Sequence, residues 1–237
     1  APTPPAATGP TVAACTVLAP TYTVDGKNPP QAGLMFAVKV GDKQLLVTAH
    51  SVFGLAGGLP TQIPAAELPK RVTAMTAKDT YTPATLCARS NKVVVVADAA
   101  PMGNGVDATR DIALFEVPAA TGYDAQSLAT TPLAPLAFAA KAPKVGDKVY
   151  LLASVKGKTG TSWPAKVVQA DAGYLFFQYD DGTLDLVGTT GAPVVDATGG
   201  LLGVNLSVGK MDDGALIGGA TQPAATKQRI EAAAKAP

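Results

Sequence analysis

Short apolar runs recur along the chain, and glycine, proline and Asp-Gly pairs break them. That pattern predicts strands rather than helices. Residues 34–40 form one such run, Gly41, Asp42 and Lys43 turn it, and residues 44–48 return as the second arm of a hairpin. Further strands are predicted at residues 71–76, 84–88, 92–97 and 111–117, with glycine- and proline-rich loops at 55–69 and 101–110. Residues 119–134 lack a clear period and read as a linker. A second set of strands follows at 136–138, 149–152, 165–168, 174–179, 183–186, 193–195, 201–204 and 215–220. The Asp181-Gly182 pair before residue 183 reads as a hairpin signal. Only residues 224–235 have a helical character, being Ala-rich with Lys227 and Glu231 spaced i,i+4. Many short strands and one terminal helix make an all-β protein, sandwich or barrel. The aromatics at 163 and 174–179 read as core.

Composition narrows the classes. The chain of 237 residues is 47% hydrophobic and only 16% charged, with a net charge of +1. The absence of a long basic run argues against nucleic acid as a main partner. No apolar run approaches the ~18 residues a membrane span requires. Residues 1–10 are a Pro/Ala/Thr tract that cannot pack a core and is expected to be extended or disordered. The tract reads like the start of a mature chain after removal of a signal peptide, which places the protein outside the cytoplasm, secreted or periplasmic. In that compartment Cys15 and Cys87 are expected to form one disulfide that pins the arm to the body; two buried free thiols are the alternative. Two cysteines and one histidine far apart are a poor metal set, and no cofactor is expected.

The candidate chemistry lies at strand ends. The only histidine, His50, directly follows a strand in Thr48-Ala49-His50; Asp111 opens the strand Asp111-Ile112-Ala113-Leu114. Thr190 sits in a glycine-bounded turn, Gly188-Thr189-Thr190-Gly191-Ala192-Pro193-Val194-Val195. Acyl transfer through an alcohol needs a base for the hydroxyl, an acid to orient the base, and N–H groups facing the oxyanion. These three motifs, in this order, resemble the chymotrypsin-like (trypsin-like) serine proteases from about Gly33 to Ala220. Residues 194–205 resemble the bacterial, HtrA-like branch, though no PDZ module is expected to fit after Ala220.

The resemblance implies two six-stranded antiparallel β-barrels with the site between them. It divides the chain into an arm (1–30), an N-terminal barrel (31–122), a C-terminal barrel (123–220) and a C-terminal helix (221–237). By the same resemblance His50 is the general base, Asp111 orients it, and Thr190 is the nucleophile. The N–H groups of Gly188 and Thr190 form the oxyanion hole. Leu206, Ser207 and Val208 pair with substrate backbone, and Leu184 is the base of the specificity pocket, which argues against a preference for Lys or Arg; a slip of one residue puts Asp185 there instead. The implied partner is a polypeptide substrate, or a protein held in the cleft; the oligomeric state is not implied. Two departures matter. Thr189 replaces the residue that receives a buried N-terminus in animal members. Thr190 replaces serine, and its extra methyl restricts χ1 beside His50. The motifs therefore leave three readings: a peptidase with a threonine nucleophile, a catalytically inactive binding module, and a Ser-to-Thr variant of an active enzyme. Retention of His, Asp and a hydroxyl together favours the enzyme.

Overall fold

The computed structural model describes residues 9–30, 33–103, 107–118 and 131–235. Most of the Pro/Ala/Thr tract, most of the linker and the boundary at 122–123 lie outside them. The expected hairpin is present as β2 (Met35–Val40) and β3 (Lys43–Thr48), antiparallel with Phe36 opposite Val47 and Val40 opposite Lys43. Five more strands complete the first half: β1 (Val17–Val24), β4 (Val72–Asp79), β5 (Leu86–Ser90), β6 (Lys92–Val94) and β7 (Ala113–Val117). One helical turn, α1 (Leu68–Arg71), precedes β4.

These strands form a seven-stranded sheet in the order β5-β4-β1-β2-β3-β7-β6, not the closed six-stranded barrel expected. The sheet is nonetheless strongly curled. Its two edge strands, β5 and β6, are consecutive in the chain with only Asn91 between them. Adjacent Cα atoms are ~3.8 Å apart, so the edges must meet at that end. The Ser90 hydroxyl donates to the Glu116 carbonyl of β7 at 2.6 Å, a side-chain bond where a closed barrel would have a ladder.

Strand β1 falls inside the stretch assigned to the arm. It pairs with β4 along its length but with β2 only at Val17 and Leu18. That leaves an open side for the missing N–H of Pro20. The disulfide Cys15–Cys87 forms as expected and ties the entry of β1 to β5. Around it the first core gathers Tyr22, Phe53 and Phe115, with ring centroids 4.8 to 6.1 Å apart.

The second half is a closed barrel of β10 (Tyr174–Tyr179), β13 (Leu216–Thr221), β12 (Leu201–Lys210), β11 (Pro193–Asp196), β8 (Lys148–Leu152) and β9 (Ser162–Ala170). Trp163, Leu175, Phe177, Val194 and Leu202 are among the side chains that fill it. Residues 183–186 are not a strand. The Asp181 carboxylate caps Thr183 at both its N–H (2.8 Å) and its hydroxyl (2.6 Å), and this local bonding competes with a ladder. Residues 136–138 make only isolated parallel bridges, Leu136 to Val38 and Phe138 to Leu201.

Helix α2 (Pro223–Lys235) follows β13, with proline in its first position and the Gln222 side chain accepting the Ala225 N–H at 2.9 Å. The Lys227–Glu231 pair forms at 3.8 Å. The helix does not pack on the barrel that precedes it alone. Ile230, Ala233 and Ala234 enter the core of the first half, and Lys43 Nζ of β3 donates to the Ala234 carbonyl at 2.8 Å.

Candidate active site

The turn before β11 is held from within. Thr189 is buried; its hydroxyl donates to the Leu186 carbonyl at 2.8 Å. Asn205 Nδ2, from β12, reaches both the carbonyl (3.1 Å) and the hydroxyl (3.2 Å) of Thr189. Thr189 thus serves as a buried anchor where a charged residue would need a charged partner. Of the main-chain N–H groups from Val187 to Ala192, four are engaged: Val187 by Asp185, Thr189 by Leu186, Gly191 by Asn205 and Ala192 by Thr189. Those of Gly188 and Thr190 have no partner among the described residues. Gly188 has φ +83° and is exposed, with open space where a Cβ would be. The two N–H groups expected to form an oxyanion hole are therefore the two left free.

The first half grips this turn from below. The Leu34 N–H donates to the Thr190 carbonyl at 2.8 Å, and the Leu34 carbonyl accepts the Thr48 hydroxyl at 2.7 Å. Gly191, at φ +88°, lies so close that a Cβ would sit 2.2 Å from the Leu34 carbonyl oxygen and 2.4 Å from Thr48 Oγ1. At Gly33 a Cβ would meet the Thr190 carbonyl oxygen at 2.5 Å. Gly191 is thereby placed against Thr48 at the end of β3, two residues before His50. No side-chain motif marks Leu34, which acts through its main chain.

His50 begins a 3-10 turn after β3 and is 1% exposed. Among the described residues, neither ring nitrogen has a hydrogen-bond partner. Burial pulls its pKa from 6.5 down to about 4, with the main chain of Ile63 opposing. Its own carbonyl accepts Gln62 Nε2 at 3.1 Å, which ties the following loop to the site. Asp111 is also 1% exposed. Burial pushes its carboxyl above the usual range, opposed by main-chain N–H groups, Met102 foremost. Oδ1 accepts the Ser51 N–H at 2.7 Å and Oδ2 the Met102 N–H at 2.9 Å. The acid and the base lie on adjoining turns, yet the imidazole is bonded to neither Asp111 nor Thr190.

Leu184 is buried in the core of the second barrel, while Asp185 is exposed and accepts the Val187 N–H at 3.3 Å. Strand β12 pairs with β11 only through Val204, so from Leu206 to Lys210 its edge on that side is open, with Val208 exposed. Asp107 caps Thr109, accepting its N–H at 2.9 Å. Among the described residues, Cys15, Asp79 and Cys87 bring potential metal-ligating atoms together. The two sulfurs are joined to each other, and the Asp79 carboxylate accepts the N–H groups of Cys15, Tyr81 and Thr82. That set is a structural knot and offers no thiolate.

Residues 35–204 match the family model described as a trypsin-like peptidase domain. No curated protein matches the sequence. Among solved structures, the Rv3671c protease from M. tuberculosis in its active form superposes with a TM-score of 0.56 at 18% identity, covering 94% of this chain and 82% of that one. An inactive form of the same protease gives 0.54 at 17% identity, covering 91% and 87%. The serine endoprotease from Yersinia pestis gives 0.57 at 16% identity, covering 93% of this chain and 63% of that one. At these identities the likeness is one of fold. No helix among the described residues is long and apolar enough to cross a membrane.

Proposed function

Because the chain belongs to the trypsin-like peptidase family, we propose that it hydrolyses polypeptides by acyl transfer through Thr190. Thr190 Oγ1 attacks the scissile carbonyl carbon while His50 takes its proton, and the negative charge develops on the carbonyl oxygen. The N–H groups of Gly188 and Thr190 receive that charge. The C–N bond then breaks, the amine leaves with the proton from His50, and water releases the acyl group by the same steps in reverse. The observation that carries this reading is the pair of N–H groups flanking Thr189 that have no partner among the described residues, in a turn clamped beside the strand that ends two residues before His50.

The open edge of β12 from Leu206 supports an extended peptide added as a strand, with Leu206, Ser207 and Val208 as its main-chain partners. Burial of Leu184 and outward placement of Asp185 support a substrate side chain without positive charge. The disulfide and the bacterial neighbours are consistent with work outside the cytoplasm.

The test is the Thr190→Ser and Thr190→Ala pair, assayed on a peptide and ester library and with a fluorophosphonate probe. The expected result is slow turnover for the wild type, a rise of ~10-fold or more for Thr190→Ser as the methyl is removed, and loss of labelling in Thr190→Ala. Absence of labelling and hydrolysis in both the wild type and Thr190→Ser would refute the reaction and leave the cleft as a binding site.

A further inference from the structure

We propose that Phe176, backed by Tyr174, is a specificity-determining residue: with Ser207 and Gly219 it forms a seat for an aromatic side chain of the substrate, on the peptide residue that lies opposite Ser207. This inference rests on the peptidase reading above and names the class of peptide that site takes. Strand β10 alternates. Leu175, Phe177 and Tyr179 are buried in the core of the second barrel, whereas Tyr174 and Phe176 face outward and are half-buried. The outer pair is not part of the core that the inner three fill. Its rings stack on each other, with centroids 5.1 Å apart and planes 10° from parallel. A half-exposed pair of parallel rings on a sheet face leaves apolar surface for a third group to cover.

The register carries this pair to the open edge of β12. Phe176 lies opposite Gly219 of β13, and Gly219 lies opposite Ser207 of β12. The three positions form one row across the sheet, and a peptide added to the free edge of β12 becomes its fourth member. The side chains of the row converge on one face: a Cβ on Gly219 would sit 2.7 Å from Ser207 Oγ and 3.2 Å from Phe176 Cε1. The ring thus leans over the glycine towards β12. Only the small side chain of Ser207 separates it from the place where a peptide side chain would stand. The other face of the sheet is full: a Cβ on Gly218 would collide with the Phe177 ring and lie 2.9 Å from the Tyr179 hydroxyl. The row also lies close to the chemistry. Ser207 is two positions beyond Asn205, whose main chain bonds Gly191 and Ala192 of the turn that carries Thr190. At ~3.4 Å per residue the seat falls about two to three residues from the scissile bond. Tyr174, behind Phe176, packs against the core of the first half. Its phenol is raised by burial first and then by the carboxylates of Asp107, Asp111 and Asp171. The stacked pair therefore runs from the face of β12 towards Asp111. An aromatic side chain fits this seat because its floor, Gly219 and Ser207, is low, and a third ring gains an edge or offset contact with Phe176 beyond the area it buries.

The experiment uses internally quenched peptides that place Phe, or Ala in its stead, at each position in turn. They are assayed with the wild type, with Phe176→Ala, which removes the seat, and with Ser207→Phe, which fills it from the neighbouring strand. The same peptides, labelled, are bound to Thr190→Ala chains with and without those substitutions and read by fluorescence anisotropy. The expected result is a preference of ~10-fold for Phe over Ala, in kcat/KM and in affinity, at one position two or three residues from the cleaved bond. In either variant the preference should fall to about 2-fold or less. Equal handling of the Phe and Ala peptides by chains with the intact seat, absence of binding included, overturns the proposal. So does a preference that survives in folded Phe176→Ala or folded Ser207→Phe; each variant decides if the other does not fold. A Phe176→Ala chain that loses stability but keeps the preference shows a ring that only covers Gly219, and this too overturns it. Binding reads the seat whether or not Thr190 turns over. Peptides bound with the Phe preference but left uncleaved strike at the reaction, and peptides cleaved without it strike at the seat.

Discussion

Acidification from pH 7 to pH 4 should destabilise the protein chiefly through His50. The ring is neutral and buried in the folded state with a pKa of about 4, against 6.5 for an unperturbed histidine. Between those values the unfolded chain binds a proton that the folded chain refuses. The contribution of His50 is intact above pH 6.5 and falls as the pH drops towards 4, at about 1.4 kcal/mol per unit. Over the interval this amounts to about 3 kcal/mol, a large share of an ordinary domain's stability. Asp111 works in the opposite sense. Its folded pKa is raised, so the buried carboxylate costs stability as the pH climbs above 3.8. The lowered carboxyls of Asp25, Asp98, Asp171 and Asp181 lose their stabilising effect only as the pH falls through their folded values, below 3.8.

The difference between the wild type and His50→Gln isolates the histidine, since both chains keep Asp111 and the surface carboxyls. Urea unfolding at a series of pH values is the assay. It can be followed by far-UV circular dichroism and by the single tryptophan, Trp163, whose Nε1 donates to the Ala153 carbonyl at 2.8 Å. The wild-type advantage should shrink by about 3 kcal/mol from pH 7 to pH 4. A difference that does not change with pH would refute the argument, because it would mean that the folded ring ionises as easily as the unfolded one.

Three further outcomes follow from the geometry. The Cys15–Cys87 bond closes a loop with a sequence separation of 72; Cys15→Ala with Cys87→Ala should cost about 4 kcal/mol by loop-closure entropy, read by urea unfolding. Gly191→Ala forces a Cβ into the Leu34 carbonyl at a positive φ. It should lower stability by about 1–3 kcal/mol and abolish fluorophosphonate labelling of Thr190, visible by calorimetry and gel fluorescence. Asn205→Ala removes both bonds to Thr189. It should cost about 1–3 kcal/mol in the same unfolding assay and slow hydrolysis without a matching rise in KM.

Much of this was legible in the chain because side chains signal it. The β2–β3 hairpin, the strand after Asp111 and the turn before β11 follow from period, glycine placement and motif order. So does the disulfide, from compartment and cysteine count. Strand β1 was hidden because Pro20 and two threonines mask an alternation that only the pairing with β4 reveals. Residues 183–186 looked like a strand because Asp181-Gly182 is a hairpin signal, but the Asp181 carboxylate spends itself on Thr183 instead. Whether the first sheet closes depends on the register of strands far apart in sequence, which composition does not encode. The clamp at Leu34 and the contact from Met102 are main-chain bonds. Any residue but proline could make them, so no residue type announces them.

The position of helix α2 has a consequence for how the molecule is made. Ile230, which is fully buried in the first half's core, is translated after the entire second barrel. At about 5–20 residues per second, the ribosome delivers it some ~5–25 s after Val117 at the end of β7. For that interval the first half has all its strands and an uncovered apolar face, a nascent-chain state that chaperones would recognise. Completion of the first half is thereby coupled to synthesis of a segment made after the second barrel, so a message truncated before Ile230 yields a chain that displays its own incompleteness.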